Sequence, residues 1–288
     1  HEIRLRGNIV SLSTNQFLTA IPTTTVSQSD IPDVRGTVAG LSLEDEIGFA
    51  DSGFSLTPSL RFDWHDYRPR ESAAFRANTG FNIFGLPDAF SDTRLSPKLL
   101  AKHQLTSEVE LFAQWSMAYR APTVDELYGN FTNITQGNYA SLGNPALKAE
   151  TGHGFEIGAN WDTGDFTGGV TLFHNAYDNF IDSTTRVTGG SPATIYSFAN
   201  RNDVNISGVE LKARKEFVNG FYLEGSLAYA RGEYGDTGAR LRSVSPFKAI
   251  LGLGYDQETW GVGLSTILSA KMPDDGPQRD PQTNAIYN

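Results

Sequence analysis

The stretch Val109-Glu110-Leu111-Phe112-Ala113-Gln114-Trp115-Ser116-Met117-Ala118-Tyr119 decides the fold. Val109, Leu111, Ala113, Trp115, Met117 and Tyr119 fall on one face of an extended chain. Glu110, Phe112, Gln114, Ser116 and Ala118 fall on the other. Side chains of a strand alternate between two faces, so period-2 patterning over eleven positions specifies a β-strand with one apolar side. The pattern recurs in both directions along the chain. Phe54, Leu56, Pro58, Leu60, Phe62 and Trp64 alternate with Ser55, Thr57, Ser59, Arg61, Asp63 and His65. Phe155, Ile157, Ala159 and Trp161 repeat it, as do Phe221, Leu223, Gly225, Leu227 and Tyr229, and Trp260, Val262, Leu264, Thr266 and Leu268.

The pattern predicts eleven strands, over residues 2–12, 37–49, 54–66, 98–106, 109–119, 152–162, 165–177, 206–216, 221–231, 246–255 and 259–270. They run about ten residues, longer than the usual five or six. Tight turns at 50–53, 105–108, 162–165, 218–220 and 256–259 alternate with long polar segments at 13–36, 67–97, 120–151, 179–205, 232–245 and from 271 onward. A soluble sandwich also alternates, but does not put every long connection at one end. A transmembrane antiparallel β-barrel does, with short turns on one side of the membrane, long loops on the other, apolar residues outside and polar residues inside. Closure also satisfies every backbone group in lipid. Trp64, Tyr119, Trp161, Tyr177, Phe221 and Trp260 near strand ends fit interfacial aromatic girdles. Lumenal charges such as Glu110, Glu156, Glu210, Lys212, Arg214 and Glu224 are expected to pair across strands or be solvated. No helical segment stands out.

Composition narrows the function. The 288 residues include 23 basic and 33 acidic side chains, for a formal charge of -10, and no Lys/Arg block, which argues against nucleic-acid binding. With 39% hydrophobic and 11% aromatic residues the chain is not disordered. Zero cysteines exclude disulfides, thiolate metal sites and cysteine nucleophiles. Nucleophile-elbow, zinc-protease and phosphate-loop patterns are absent, so no enzymatic reaction is expected.

Two boxes carry a family resemblance. Tyr119-Arg120-Ala121-Pro122 and the later Asn144-Pro145-Ala146-Leu147-Lys148-Ala149-Glu150-Thr151 resemble the paired boxes of TonB-dependent outer-membrane receptors. Val124-Asp125-Glu126-Leu127-Tyr128, Thr151 to Gly158, Leu172 to Ile181 and Ile206-Ser207-Gly208-Val209-Glu210-Leu211 resemble family segments in the same order. Asp30-Ile31-Pro32 and Leu43-Glu44-Asp45-Glu46-Ile47 resemble the haem and haemoglobin branch. The resemblance spans nearly the whole chain. It implies a 22-strand barrel with an N-terminal plug, in the outer membrane of a Gram-negative bacterium, taking up haem or haemoprotein iron. The plug would engage a TonB-type energy transducer. Residues 1–288 would be part of the barrel domain, with plug and closing strands lying elsewhere and no transport by this stretch alone. The first residues, His1-Glu2-Ile3-Arg4-Leu5, open in mid-pattern and fit that expectation.

The resemblance also implies a histidine between the boxes as an iron ligand, yet residues 123–143 contain none. Tyr128 and Tyr139 lie there, and a phenolate ligates ferric haem. His65 shares the polar set with Arg61 and Asp63 near the mouth. These three are the ligand-binding candidates, set against the plainer roles of packing aromatic and of an Asp-paired histidine. Asn130, Asn133 and Gln136 are further polar contacts. No permanently bound cofactor or metal is expected; haem would be cargo. Pro122 ends its strand because it lacks a ladder donor. Arg120 is expected to hold Asp125 or Glu126 with its planar fork, and Asn144-Pro145 to open a turn, so that the boxes shape the loop first. A ferric siderophore receptor is the alternative within the family. A passive porin or an adhesin, which would lack plug and boxes, is the alternative outside it.

Overall fold

The computed structural model describes residues 1–14, 18–19, 27–78, 85–133, 138–245, 247–271, 278–279 and 286–287. Eleven strands form one antiparallel sheet in which neighbours in sequence are neighbours in space. They are β1 (Glu2–Thr14), β2 (Asp33–Phe49), β3 (Phe54–Arg70), β4 (Phe90–Gln104), β5 (Val109–Arg120), β8 (Glu150–Asp162), β9 (Phe166–Asp178), β12 (Val204–Glu216), β13 (Phe221–Tyr234), β14 (Lys248–Asp256) and β15 (Gly261–Ser269). β1 and β15 are the two edges. All eleven predicted wall strands are present.

The register puts the apolar sets on a single side from edge to edge. Leu5 faces Leu43, which faces Leu60. Leu99 faces Trp115, which faces Phe155. Ile157 faces Leu172, and Leu223 faces Leu253, which faces Leu264. All but Trp115, which stacks on His153, are exposed: Ile157 is 56% exposed and Leu264 76%. A continuous exposed apolar face of this width marks contact with another apolar phase. The opposite face carries cross-strand ion pairs, including Lys102–Glu110 at 3.5 Å, Lys98–Glu44 at 3.6 Å and Arg214–Glu224 at 2.8 Å. Aromatics on this polar face lie over glycines of the next strand. Phe112 covers Gly158, Phe173 covers Gly208 and Tyr222 covers Gly254, each pair being direct partners in the register.

Several strands run further toward the long loops than the alternation indicated. β2 starts at Asp33 rather than 37, β3 ends at Arg70 rather than 66, and β4 begins at Phe90 rather than 98. The added residues include Asp33, Arg35, Arg68, Arg70, Asp92 and Arg94. Polar residues occupy both faces there, so the strand continues after the alternation has faded.

The long polar segments carry secondary structure of their own. α1 (Ala73–Arg76) and α2 (Val124–Tyr128) are single helical turns. β6 (Asn130–Asn133), β7 (Tyr139–Leu142), β10 (Phe180–Val187) and β11 (Thr194–Arg201) make a second sheet in the order β10-β11-β7-β6. The buried apolar core lies at this end: Ile31, Val34, Tyr67, Leu127, Tyr128, Leu147 and Ile181, with Val38, Phe90, Val124 and Phe198 against it.

Candidate functional site: the loop assembly

The two sequence boxes meet at the top of the wall. Arg120 ends β5 directly opposite Glu150, which opens β8. Its Nε donates to Glu150 Oε2 at 2.6 Å and its Nη2 to Oε1 at 2.8 Å. Nη1 donates to both oxygens of Glu126, at 2.9 and 3.1 Å. One guanidinium therefore holds two carboxylates, in the fork geometry that makes arginine the residue for this task. Glu126, one of the two expected partners, is confirmed, and Glu150 is an addition. Glu150 is buried, and its Oε1 also accepts the backbone N–H of Ile181 at 2.6 Å. The clamp thus reaches from the wall to β10 of the loop sheet.

Between the boxes the chain turns once into α2. Thr123 Oγ1 accepts the Glu126 N–H at 3.2 Å and Glu126 Oε2 accepts the Thr123 N–H at 2.7 Å, a reciprocal capping box. Burial pushes the Glu126 carboxyl up, but Arg120 and the Thr123 N–H outweigh it and hold it below the ordinary range. Pro122 is fully buried and Ala121 precedes it at the turn into the helix. The Thr123-Val124-Asp125-Glu126 spacing is the signal that sequence reading passed over.

The second box is stitched to β11. Asn144 Nδ2 donates to the Phe198 carbonyl at 2.9 Å, and its Oδ1 accepts the Ala146 N–H at 3.0 Å across Pro145. Asn200 Oδ1 accepts the Lys148 N–H at 2.8 Å while its Nδ2 donates to the Lys148 and Asn179 carbonyls. Leu147 is buried in the core. Gly143 passes so close to α2 that a Cβ would meet the Leu127 carbonyl carbon at 2.6 Å.

Asn78 ties three loops together. Its buried Nδ2 donates to the carbonyls of Ser29 at 3.0 Å and Asn130 at 2.7 Å, and to Asp30 Oδ1 at 3.3 Å. The Asn130 N–H in turn donates to the Asp30 carbonyl at 2.7 Å. Burial pushes the Asp30 carboxyl up to about 6.

The three ligand candidates have different surroundings. Tyr128 is 2% exposed, and its hydroxyl donates to the Tyr67 carbonyl at 3.4 Å. Burial pushes its phenol up to about 12, so it stays protonated inside the core. Tyr139 lies on the loop sheet, its ring 5.8 Å from Phe131 and 5.9 Å from Tyr196, with Tyr196 47% exposed. Its hydroxyl has no hydrogen-bond partner among the described residues. His65 sits on the polar face below the core, its ring 5.6 Å from that of Tyr119 and its Nδ1 3.4 Å from the Tyr119 hydroxyl. Asp63 bonds Arg61 rather than His65. Asn130 is buried at the Asn78 node, Asn133 pairs with Tyr139 in the loop sheet, and Gln136 lies outside the described residues.

Two girdle assignments differ. Tyr119 joins His65 and Arg94 on the polar side; the β4–β5 ladder ends at Lys98–Ser116, next to Pro97, and the two strands are not bonded above it. Tyr177 lies over Gly152 and packs edge-on to Phe180. Trp64, Trp161, Phe221 and Trp260 are exposed on the apolar side.

An antiparallel wall, apolar on one side and charged on the other, with every short turn at one end and a folded loop assembly at the other, is that of an outer-membrane barrel. Residues 6–286 match the family described as TonB dependent receptor-like, beta-barrel, and the chain belongs to that family. Its wall lies in the outer membrane of a Gram-negative bacterium. Among curated relatives, the chain is 26% identical over 242 residues to the probable hemoglobin and hemoglobin-haptoglobin-binding protein 4 of Haemophilus influenzae, covering 76% of this chain and 24% of that one. It is 29% identical over 208 residues to the ferric enterobactin receptor of Pseudomonas aeruginosa, covering 67% and 25%. The chain thus spans about a quarter of the length of these relatives. Among solved structures, the copper transporter OprC superposes with a TM-score of 0.66 at 23% identity, covering 86% of this chain and 36% of that one. The Serratia marcescens hemophore receptor HasR, in complex with its hemophore HasA and heme, gives 0.65 at 15% identity, covering 93% and 52%. At these identities the structural likeness speaks for the fold alone.

Proposed function

We propose that this chain is the wall and external loop part of a receptor that takes up iron as haem or from a haemoprotein, driven through a plug by a TonB-type energy transducer. The observation that carries the reading is the aromatic face Phe131–Tyr139–Tyr196 on the loop sheet, with at its centre a phenol that has no hydrogen-bond partner among the described residues. Flat aromatic rings suit a porphyrin face, and the Tyr139 phenolate suits ferric iron. The hemoglobin-binding relatives support this choice of cargo. Tyr128 supports the loop core from within, and His65 lies on the path below it. The clamp at Arg120 and Glu150 keeps the loop sheet over the mouth.

A ferric siderophore is the second reading. The absence of histidine from residues 123–143 and the ferric enterobactin receptors among the relatives favour it. Growth separates the two. An iron-starved Gram-negative host lacking its own receptors is given the full-length gene and either haem or a ferric catecholate as sole iron source. Growth on haem that requires an intact energy transducer supports the proposal. Growth on the catecholate alone replaces it with the second reading.

A further inference from the structure

The apolar face of β2 and β3 ends in an unusual cluster of charge. Trp64 is the last large apolar side chain of β3 on that face, 37% exposed. Every second residue beyond it, Asp66, Arg68 and Arg70, stays on the same face. On β2 the face continues from Ala39 through Thr37 and Arg35 to Asp33. The register sets Arg35 directly opposite Arg68, and Asp33 opposite Arg70. All three arginines are exposed.

Directly opposed residues stand about 4.5–5.5 Å apart at Cβ, where like charges repel. Asp33 faces Arg70 in the register, but only Arg68 bonds a carboxylate, that of Asp66, whose Oδ2 accepts from its Nε at 2.8 Å. Arg35 and Arg70 have no hydrogen-bond or ion-pair partner among the described residues. Several other cations of the wall are paired. Arg61, Lys98 and Lys102 on the polar face bond Asp63, Glu44 and Glu110, and Lys215 near the short-turn end bonds Asp165. A chain of net charge -10 thus concentrates three guanidiniums at one place, two of them without partners.

From this we infer that Arg35, Arg68 and Arg70 bind the phosphate of an anionic lipid headgroup in the external leaflet. Family membership sets the orientation: the long-loop end of the wall faces outward. The arginines project from the same face as Phe62 and Trp64 and lie just beyond them, at the depth where hydrocarbon gives way to headgroups. Guanidinium forks match phosphate oxygens with paired hydrogen bonds, and an anion between Arg35 and Arg68 turns their repulsion into a bridge. The position selects a lipid over a soluble anion, because the apolar wall directly beneath seats the acyl chains of the same molecule. Recognition of this kind anchors the wall laterally and fixes the height of the β2–β3 mouth against the membrane surface.

The test uses the full-length receptor in phosphatidylcholine nanodiscs doped with lipid A, or with lipid A whose phosphates have been removed. Retained lipid is counted by native mass spectrometry after detergent release. Arg35→Gln and the double variant R35Q/R68Q are compared with wild type and with Arg6→Gln, which changes an arginine on the opposite face of β1. The wild type and R6Q are expected to retain phosphorylated lipid A. Retention is expected to weaken about fivefold per membrane-facing arginine removed, the factor that corresponds to about 1 kcal/mol. Equal retention by R35Q/R68Q, or equal retention of the dephosphorylated lipid, overturns the inference. Full displacement by inorganic phosphate overturns it as well, since it assigns the arginines to a soluble anion. Neither result depends on which iron compound the receptor carries.

Discussion

Arg120 and Glu150 stand directly opposite one another across β5 and β8, joined by hydrogen bonds of 2.6 and 2.8 Å, although thirty positions of loop separate them in sequence. Glu150 passes the constraint on to β10 through the Ile181 N–H, and Arg120 passes it to α2 through Glu126. Replacing Glu150 with Gln keeps the shape and removes the charge. Hydrogen bonds to charged groups contribute about 2 kcal/mol, so amide exchange over residues 180–187 should quicken roughly thirtyfold in the full-length protein. Exchange in β12 to β14 should not change. Unaltered protection of residues 180–187 would remove the clamp from this account.

The facing of the wall predicts an asymmetry. Leu223 is 49% exposed on the apolar side, whereas Ser226 lies on the other side opposite Ile250 and Lys212. Arginine at Leu223 or Leu227 should cost roughly 2–4 kcal/mol near the membrane midplane. Arginine at Ser226 should cost much less. Folding titrations into lipid vesicles measure the difference, and equal costs would reverse the assignment of the two faces.

Tyr222 lies between Gly254 and Arg214. A Cβ at Gly254 would meet the Tyr222 ring at 2.2 Å, and Arg214 Cζ sits 3.9 Å from the ring centroid on the same residue. Gly254→Ala should therefore destabilise the wall by about 1–3 kcal/mol through overpacking. Tyr222→Ser should relieve most of that cost in the double variant. Additive costs in a double-mutant cycle would show that the ring is not what requires glycine there.

Asp30 predicts a pH dependence. Its carboxyl is raised by burial from 3.8 to about 6, so the folded loop node binds a proton that the opened node releases. Local stability is then greatest below about 4, falls as pH rises toward 6, and is level above that. The opening free energy reported by the Asn130 amide, corrected for intrinsic exchange, should follow this course. Asp30→Asn should flatten it, and a wild-type profile that is level or rising from pH 4 to 6 would contradict the assignment.

The wall was legible in the sequence because lipid on one side and water on the other impose a period of two on every strand. Val109 to Met117 shows this alternation and the structure keeps it. Beyond the membrane the outer face turns polar, at Asp33, Arg35 and Arg68, while Val34 and Tyr67 on the inner face enter the loop core; the alternation that marks the wall therefore breaks, and Asp33, Arg68 and Arg94 carry no strand signal. The loop sheet was hidden for another reason: β6 and β7 have only four residues each, too few to display a period. Its core draws Ile31, Leu127, Leu147 and Ile181 from three separate loops, and their burial is settled by contacts distant in sequence. Tyr128 shows the consequence. Residue type and place in the loop made it a ligand candidate, but neither reveals that the ring points inward. The Arg120–Glu126 pair was readable because both partners lie within one short segment; Glu150 is brought in only by the β5–β8 register.

The most direct test of the account is a haem titration of the full-length receptor in detergent, followed at the Soret band, with Tyr139→Phe and Tyr196→Phe beside the wild type. The account predicts saturable binding, a tyrosinate-type spectrum lost in Tyr139→Phe, and weaker binding with unchanged ligation in Tyr196→Phe. Binding whose spectrum is the same in Tyr139→Phe, or no saturable binding by the wild type, would contradict it.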